Sequence, residues 1–412
     1  MRTAVIVGAG LAGARAAETL RTEGFDGRVV LVGEERRPPY ERPPLSKGYL
    51  RGDEGAEGLP VHDDGFYEAS DIELLTDAPA VAVDTREAVV ALAGGDHLAY
   101  DALLVATGSA PRPLAVPGAD LDGVVVLRTV DDADRLRSRL AAASAVAVVG
   151  GGWIGAEVAA VARQLGREVT LVHPGPAPLH KVLGPEVADV YRRLHADHGV
   201  RLVGGQRVSA LEGSGAVEAV VTDGGEVVAA DLVVAGVGAR PRTDLAEAAG
   251  LEVDDGVVVD ATLRTADPRV FAAGDVARAW HPLVGRSLRV EHWANALHQG
   301  PAAARSLLGG SEPYDRLPYF YSDQYDVGME FLGVPEPTDR VVFRGAPARR
   351  EFIAFWVRPA KGRVVAAMNV NVWDVVDDLR RVILSGSPVD EARLRDPDVA
   401  LADLVNGPIG VP

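Results

Sequence analysis

An α/β fold of two parallel-sheet domains, followed by an α+β domain, is predicted by three features of the 412-residue sequence. A glycine-rich turn joins a strand to a helix near the N terminus, at Gly8. A second copy of the same device begins at Gly150. From about Tyr325 onward the pattern changes to short strands followed by one helix. The repeat predicts two Rossmann-like dinucleotide-binding domains, and the change of pattern predicts the third domain.

The first turn has the context that a dinucleotide site requires. An apolar strand over residues 4–7 leads into Gly8, Gly10 and Gly13, and a helical pattern follows. In such turns the first glycine permits the bend, the second lets a pyrophosphate approach the backbone, and the third lets the helix pack on the strand. Glu34 follows a second strand, about 20 residues beyond the last glycine, where a carboxylate accepts the ribose hydroxyls.

The second turn repeats this arrangement. A strand over residues 145–149 precedes Gly150, Gly152 and Gly155, and a helix is predicted to follow. Two dinucleotide folds in one chain predict two cofactors that meet. An ordinary strand–helix connection that binds no ligand is the alternative for a single glycine turn. It does not explain why the turn occurs twice.

Composition limits the class of protein. A hydrophobic content of 47% and a charged content of 25% are those of a globular protein, and the length suffices for two or three domains. Neither a secretory signal nor an apolar run long enough to cross a bilayer is evident, so a cytoplasmic location without membrane attachment is expected. A net charge of −17 argues against nucleic-acid binding.

The chain contains no cysteine. This excludes disulfides, thiolate metal sites and a redox-active cysteine, and no other metal site is expected.

A proline-rich, basic loop over residues 36–47 follows the first unit. Four prolines stiffen it, since proline fixes its own backbone and restricts the preceding residue. We expect Arg42 to contact a phosphate and Lys47 to lie near the reactive ring of the cofactor. A rigid surface loop with a solvated lysine is the alternative.

Buried strands that end in glycine, over residues 103–108 and 232–238, return the chain to each nucleotide site. A later strand leads to Ala273-Gly274-Asp275. We expect Asp275 to orient a ribose or ribityl hydroxyl, while the following helix directs its N terminus at the cofactor. Residues 290–300 are predicted to begin a helix beside that site. A helix N-cap is the alternative role, and the two are compatible.

Several motifs together resemble one family. They are the two glycine turns, residues 42–47, Ala106-Thr107-Gly108, residues 236–241, Ala273-Gly274-Asp275 and residues 318–324. The sequence resembles, nearly end to end, the FAD-dependent, NAD(P)H-using ferredoxin reductases of bacterial oxygenase systems, of the putidaredoxin reductase and rubredoxin reductase type.

The resemblance implies the glutathione-reductase fold. Its FAD domain would comprise residues 1–113 and 244–323, its NAD(P) domain residues 114–243, and its α+β C-terminal domain residues 324–412.

The resemblance also implies the site residues. The FAD contacts would be Gly8, Gly10, Ala12, Gly13, Glu34, Arg42, Lys47, Val81, Arg128, Asp275 and Trp293. The nicotinamide site would be lined by Gly152, Ile154, Gly155, Glu157 and Gly238. Further contacts of the pyridine nucleotide would be Gly150, in the second turn, and His173, at the position that faces the adenosine ribose. Lys47 and Glu157 are the predicted catalytic residues. For Lys47 the reason is that a cation beside the flavin stabilises negative charge on the reduced ring.

The implied reaction is hydride transfer from NAD(P)H to FAD, followed by single-electron transfer to a small iron–sulfur ferredoxin that supplies an oxygenase. Without a cysteine, electrons would leave the flavin directly. The protein is expected to be a monomer or weak dimer. An NADH-responsive binding module like the apoptosis-inducing-factor relatives, and an NADH oxidase, are the alternatives.

One departure concerns the nucleotide. NADH-using members carry an acidic residue after the strand 169–172, where this chain has His173. NADH is expected from the family, and NADPH use stays open.

A basic surface is expected to receive the acidic ferredoxin, with ordinary surface arginines as the alternative. Its candidates are Arg344, Arg349, Arg350, Arg358, Lys361 and Arg363. Tyr319, Phe320 and Tyr321 are candidates for the flavin edge or, equally, for a core cluster.

Overall fold

The computed structural model describes residues 1–405 and divides them into two compact units. The first unit comprises Met1–Arg42, Gly55–Ala110 and Ala239–Pro318. The second comprises Pro43–Glu54, Pro111–Gly238 and the chain from Tyr319 onward. The last part of the predicted C-terminal domain, residues 406–412, lies outside the described residues.

A five-stranded parallel sheet forms the centre of the first unit. Its strands, in spatial order, are Val270–Ala272, Ala102–Val105, Thr3–Val7, Arg28–Val32 and Ile72–Leu75. Continuous burial of these apolar runs is typical of a parallel sheet covered on both faces. The helices Leu11–Thr22 and Trp293–Leu307 pack on each other, and a Cβ at Gly300 would lie 2.3 Å from the carbonyl oxygen of Ala12. This close approach requires glycine.

Two three-stranded sheets complete the first unit. One is the antiparallel sheet Ala80–Asp84, Val89–Leu92 and His97–Ala99, and the other contains Val257–Val259, Ala277–His281 and Arg286–Arg289. The remaining elements are the helices Phe66–Ala69 and Asp244–Ala248, the 3-10 turns Ala56–Gly58 and Gly274–Val276, and the short strands Ser109–Pro111 and Ala239–Pro241.

The helix predicted within residues 290–300 is confirmed, since it begins at Trp293, but the alternative role of Asp275 as a helix N-cap is wrong. A single 3-10 turn, Gly274–Val276, is followed by the strand Ala277–His281. This strand pairs with Val257–Val259 on one side and with Arg286–Arg289 on the other. Pairing on both edges satisfies the backbone of the segment, so tertiary context overrides the local helix signal.

The second unit also contains a five-stranded parallel sheet. Its strands, in spatial order, are Arg201–Gly204, Glu168–His173, Ala145–Val149, Leu232–Ala235 and Val124–Val125. Its helices are Val130–Ala142, Trp153–Gln164 and His180–Asp197, the last interrupted at Gly184. The antiparallel strands Val208–Glu212, Ala219–Thr222 and Val227–Ala229 form a separate sheet, of which the first strand was not predicted. With a parallel sheet and a glycine turn in each unit, the two predicted Rossmann-like folds are confirmed.

An antiparallel sheet completes the second unit. Its strands, in spatial order, are Tyr319–Gln324, Val327–Gly333, Arg363–Val370, Glu351–Arg358 and Arg340–Ala346. Its further elements are the helices Gly48–Arg51, Val376–Ser385 and Glu391–Arg395 and the 3-10 turns Pro43–Ser46, Pro347–Arg349 and Leu401–Leu404. Phe331, Phe352 and Trp356 pack with Tyr191 and Leu194 of the helix His180–Asp197 in one apolar cluster.

Among residues 1–405, no helix is both long enough and apolar enough to span a bilayer.

Candidate nucleotide-binding sites

The first glycine turn has two glycines that the fold itself requires. Gly8 has φ +119°, and a Cβ there would lie 2.1 Å from the carbonyl oxygen of Ala106. A Cβ at Gly13 would lie 2.0 Å from the carbonyl oxygen of Gly8. The segment after the strand Ala102–Val105 therefore leaves no room for a side chain at Gly8, and the turn itself leaves none at Gly13.

Gly10 is different, because the protein itself does not exclude a side chain there. It is the N-cap of the helix Leu11–Thr22, its backbone is extended, and a Cβ would meet no atom within 4 Å. No side chain caps this helix. Its first N–H groups are therefore available to an anion, and an open space in front of them fits a pyrophosphate.

The second turn reproduces this geometry. A Cβ at Gly150 would lie 2.2 Å from the carbonyl oxygen of Gly236, and one at Gly155 would lie 2.0 Å from that of Gly150. Gly152 is the N-cap of the helix Trp153–Gln164, has no capping side chain and has open space around its Cβ position. Each unit thus holds one turn suited to a pyrophosphate.

Glu34 forms an ion pair that the sequence did not predict. Arg242 donates from both terminal nitrogens to the two carboxylate oxygens, with Nη2 2.7 Å from Oε2. These hydrogen bonds lower the pKa of Glu34 despite its partial burial. Each carboxylate oxygen has a second lone pair, so the pair leaves acceptors for ribose hydroxyls. Arg242 directly follows the motif 236–241, but no local pattern identifies its partner.

Arg42 is held by two neighbours in the same unit. Its Nη2 lies 2.8 Å from Oε1 of Glu35, and its Nη1 donates to the hydroxyl of Tyr40 at 3.0 Å. The side chain is 29% exposed. Arg42 is therefore oriented before any ligand binds, and its predicted contact with phosphate stays a prediction.

Three other predicted FAD contacts lie in the first unit. Asp275 Oδ2 accepts a hydrogen bond from Ser109 Oγ at 2.8 Å. The indole N–H of Trp293 donates to Glu41, whose pKa is raised by burial despite this bond. Val81 is 57% exposed on its strand, and its predicted contact with FAD stays a prediction.

The predicted FAD contacts are not all in one unit. Ala12, Glu34, Arg42, Val81, Asp275 and Trp293 belong to the first unit, as do the glycines of the first turn. Lys47 and Arg128 belong to the second.

Lys47 and Glu157 form a buried ion pair in the second unit. Lys47 Nζ lies 2.8 Å from Glu157 Oε2, and the two side chains are 16% and 4% exposed. Ser46 also donates to Oε2, and Ser322 donates to Oε1 at 2.6 Å. The ring of Tyr321 has its centroid 5.6 Å from Nζ. The two predicted catalytic residues are thus in direct contact. Glu157 lies on the helix that begins at the second turn, and Lys47 lies in the segment before Gly48.

The serines that complete this site were missed. Ser322 and Gln324 occupy alternate positions of the buried edge strand Tyr319–Gln324. Two successive polar residues on the face of the strand that also carries Phe320 were the available signal, because apolar residues are expected on a buried face.

His173 ends the strand Glu168–His173 as predicted, but its side chain is only 2% exposed. The ring packs beside Gly151 and Gly204, and the carbonyl of Gly175 lies close to it. Burial lowers the pKa of His173. The imidazole is therefore neutral at pH 7.

The other predicted nicotinamide contacts frame the second turn. Ile154 is 44% exposed at the start of the helix Trp153–Gln164. Gly238 has φ +106°, and a Cβ there would lie 3.8 Å from Cδ of Arg112.

Of the six residues of the predicted basic surface, one is buried and two are paired with acidic residues. Arg344 is 8% exposed and donates to the carbonyl oxygens of Pro397 and Val399. Arg350 pairs with Asp197, and Arg358 pairs with Glu336 and Asp339. Of the others, Arg349 and Lys361 are exposed and Arg363 is half-buried.

The aromatic run Tyr319 to Tyr321 divides between two environments. Phe320 is a core residue, with its ring centroid 4.8 Å from that of Trp153 and 5.1 Å from that of Phe331. Tyr319 donates to Glu330 at 2.8 Å, and Tyr321 lies beside Lys47.

Comparisons with known proteins agree with this arrangement. Residues 2–300 match the family model for pyridine nucleotide-disulphide oxidoreductases, and residues 319–405 match the model named reductase C-terminal. A similar protein is the ferredoxin–NAD(+) reductase component of the anthranilate 1,2-dioxygenase system of Burkholderia cepacia, with 43% identity over 96% of this chain and 98% of that protein. Putidaredoxin reductase of Pseudomonas putida is 38% identical, over 97% of this chain and 96% of that protein.

Two solved structures are also similar over nearly their whole length. A ferredoxin reductase from Rhodopseudomonas palustris has a TM-score of 0.94 at 35% identity, covering 97% of this chain and 99% of that one. Putidaredoxin reductase, in a covalent complex with putidaredoxin, has a TM-score of 0.94 at 37% identity, covering 98% of each chain. The resemblance inferred from the motifs is confirmed: the chain belongs to the pyridine nucleotide-disulphide oxidoreductase family, in the group of ferredoxin, putidaredoxin and rubredoxin reductases.

Proposed function

We propose that the protein is an FAD-containing, NADH-dependent reductase that passes single electrons to a small iron–sulfur ferredoxin, which supplies an oxygenase. The observation that carries this proposal is the pair of glycine turns. Each presents an uncapped helix N terminus behind a glycine whose Cβ position is open. Relatives that match the chain end to end are named as ferredoxin reductases of oxygenase systems. The cytoplasmic location and the monomeric or weakly dimeric state belong to the same proposal.

The first unit has the groups that FAD requires. The turn at Gly10 fits its pyrophosphate, Glu34 keeps free acceptor positions for its ribose, and Arg42 is a pre-oriented cation. Asp275, which accepts a hydrogen bond from Ser109, is the carboxylate that we infer to orient a ribityl hydroxyl. When bound, FAD accepts a hydride and returns its two electrons one at a time.

The second unit would hold the pyridine nucleotide. The turn at Gly152 fits the pyrophosphate, and Ile154 offers apolar surface beside it. Glu157 lies one turn further along the same helix, with Lys47 paired to it. We infer that this pair orients the nicotinamide, since hydride transfer needs alignment and electrostatics rather than a protein acid or base.

The absence of cysteine limits the route by which electrons can pass from the flavin to the acceptor. The family takes its name from disulphide chemistry, but this chain has no cysteine. A cysteine relay is therefore excluded, and direct transfer to a one-electron acceptor such as an iron–sulfur protein fits the composition.

The test uses the purified protein under anaerobic conditions. We expect a yellow protein that NADH bleaches in a stopped-flow experiment, and that reduces an added [2Fe–2S] ferredoxin while it consumes NADH. A colourless protein that binds no added FAD would refute the proposal. Rapid oxygen uptake with NADH alone, without ferredoxin reduction, would favour an NADH oxidase.

We expect NADH to be preferred over NADPH. The imidazole of His173 is neutral above its lowered pKa, so at pH 7 to 9 it offers no positive charge to a 2′-phosphate. Protonation becomes significant only when the pH falls below the ordinary histidine value of about 6.5. The ratio of kcat/KM for NADH to that for NADPH should therefore stay constant between pH 7 and pH 9. Equal use of both nucleotides at pH 8 would show that another cation binds the phosphate.

Arg344 should prove structural rather than a docking residue. We expect Arg344→Ala to lower the free energy of unfolding by about 1–3 kcal/mol, because the guanidinium is buried and bonded to two carbonyls. Ferredoxin reduction per folded molecule should not change. The matched controls are Arg349→Ala and Lys361→Ala, at exposed positions, which should leave the melting temperature unchanged. A stable Arg344→Ala variant with weaker ferredoxin binding would contradict this assignment.

A further inference from the structure

A continuous series of buried hydrogen bonds ends on the Glu157 carboxylate. Ser322 Oγ lies 2.6 Å from Glu157 Oε1, and Gln324 Nε2 donates to Ser322 Oγ at 3.2 Å. Gln324 Oε1 lies 3.0 Å from His195 Nε2, and the hydroxyl of Tyr325 lies 3.4 Å from His195 Nδ1. We call these four residues, Ser322, Gln324, His195 and Tyr325, the Glu157 series. All of them belong to the second unit.

Every donor in the Glu157 series points toward Glu157. A carboxylate only accepts, so the hydroxyl proton of Ser322 must go to Glu157, and Ser322 Oγ must accept from the amide nitrogen of Gln324. The amide oxygen then accepts from His195 Nε2–H. Burial lowers the pKa of His195 to about 4, so its ring is neutral at pH 7 and Nδ1 is free to accept from Tyr325.

Three members of the Glu157 series are among the most buried polar groups of the second unit, and Tyr325 is partly buried. Ser322, Gln324 and His195 are 2%, 1% and 0% exposed, and Glu157 is 3% exposed. Burying polar side chains is costly unless all their hydrogen bonds are made. Aligned hydrogen bonds polarise one another, so their combined effect falls on the last acceptor, Oε1 of Glu157.

The other carboxylate oxygen of Glu157 contacts a different part of the chain. Oε2 is bonded to Ser46 and Lys47, which come from the segment before Gly48. The carboxylate thus has one oxygen tied to the Glu157 series and the other tied to Lys47. Since Ser322 fixes the first oxygen, it also fixes the angle at which the second meets the ammonium group.

We propose that Ser322, Gln324 and His195 are positioning residues, which hold the Glu157 carboxylate in the orientation that serves the pyridine nucleotide. This inference rests on the proposed function, in which the Lys47–Glu157 pair orients the nicotinamide. None of these three residues touches the cofactor in the proposal; each acts through the next.

A double-mutant cycle tests the inference on the FAD-loaded enzyme. Ser322→Ala should lower the limiting rate of flavin reduction by NADH about tenfold, with the Kd for NADH changed less than about twofold, because geometry rather than binding is lost. In a Glu157→Gln background, Ser322→Ala should lower this rate by less than about a further twofold, since the effects of substitutions at coupled residues are not additive. Ser322→Thr, which keeps the hydroxyl, should restore most of the rate. Equal effects in both backgrounds, or no rescue by threonine, would overturn the inference.

A second measurement does not depend on turnover. In ¹⁵N-histidine NMR of the holoenzyme, His195 should be the neutral tautomer with its proton on Nε2. Gln324→Met removes the acceptor and should shift that signal, while Ser322 keeps its hydroxyl. Thr222→Val is the matched control, because Thr222 is a buried hydroxyl of the same unit that bonds to Gln206 instead. A proton on Nδ1 would overturn the inference.

The two failures are distinguishable. If NADH does not reduce the wild-type flavin, the proposed function fails, whatever the tautomer of His195. If the wild type is reduced normally but the cycle is additive, only the positioning role fails.

Discussion

Replacing Gly10 with valine is expected to give a folded but colourless protein. The backbone at Gly10 is extended, with φ −87° and ψ −172°, which valine adopts without strain, and its Cβ position is open. The two valine methyl groups would then occupy the space in front of the helix N terminus. Losing the charge-assisted contacts to the pyrophosphate should weaken FAD binding about 100-fold, equal to about 2.8 kcal/mol. The absorbance at 450 nm per folded molecule and the melting temperature of the FAD-free protein are the measurements.

Valine in place of Gly152 should leave FAD binding intact and prevent reduction by NADH. Its backbone is also extended, with φ −82° and ψ −176°, and its Cβ position is equally open. Gly152→Val should therefore be yellow, with normal FAD content, and fail to be reduced by NADH at concentrations that saturate the wild type. Photoreduction of its flavin would show that the cofactor itself is still competent.

Gly13→Ala is the control that separates fold from ligand. A Cβ there would lie 2.0 Å from the carbonyl oxygen of Gly8, so the fold itself should be destabilised. If Gly10→Val lowered the melting temperature of the FAD-free protein as much as Gly13→Ala does, the distinction between the two glycines would be lost. Normal FAD binding by Gly10→Val would place the pyrophosphate elsewhere.

Local signals in the sequence sufficed for the parallel sheets and for both turns. The strands around Gly8 and Gly150 are short apolar runs that end in glycine, and such runs need no distant partner to be recognised. The N-cap alternative for Asp275 failed because the next segment is a strand paired on both edges, which a local pattern does not reveal.

The hydrogen-bond and ion-pair partners of the site residues could not be predicted from the sequence. Glu34 was predicted as a ribose ligand, but its pairing with Arg242 joins residues 208 positions apart. Ser322 and Glu157 are separated by 165 positions. Arg344 was assigned to a basic surface because its stretch of the sequence has several basic residues and only Glu351 as a nearby acid, whereas its side chain bonds to buried carbonyls. Such contacts are set by tertiary packing.

Breaking the Lys47–Glu157 pair from either side should cost far more than removing it whole. Glu157→Leu leaves the Lys47 ammonium, 16% exposed, without its carboxylate, and it deprives Ser46 and Ser322 of their acceptor. Loss of one partner of a buried pair typically costs about 3–5 kcal/mol in the free energy of unfolding. We expect urea denaturation to show this loss for Glu157→Leu, and flavin reduction by NADH to fall about 100-fold.

The double variant Lys47→Met/Glu157→Leu decides between structure and chemistry. Two apolar side chains of similar length bury no charge, so the part of the lost stability that comes from the unpaired ammonium should return, while Ser46 and Ser322 still lack their acceptor. The rate of flavin reduction should not return, because the charged pair is what we propose to orient the nicotinamide. If activity recovered together with stability, the pair would be only a structural element, and alignment of the nicotinamide would have to come from the turn at Gly152 alone.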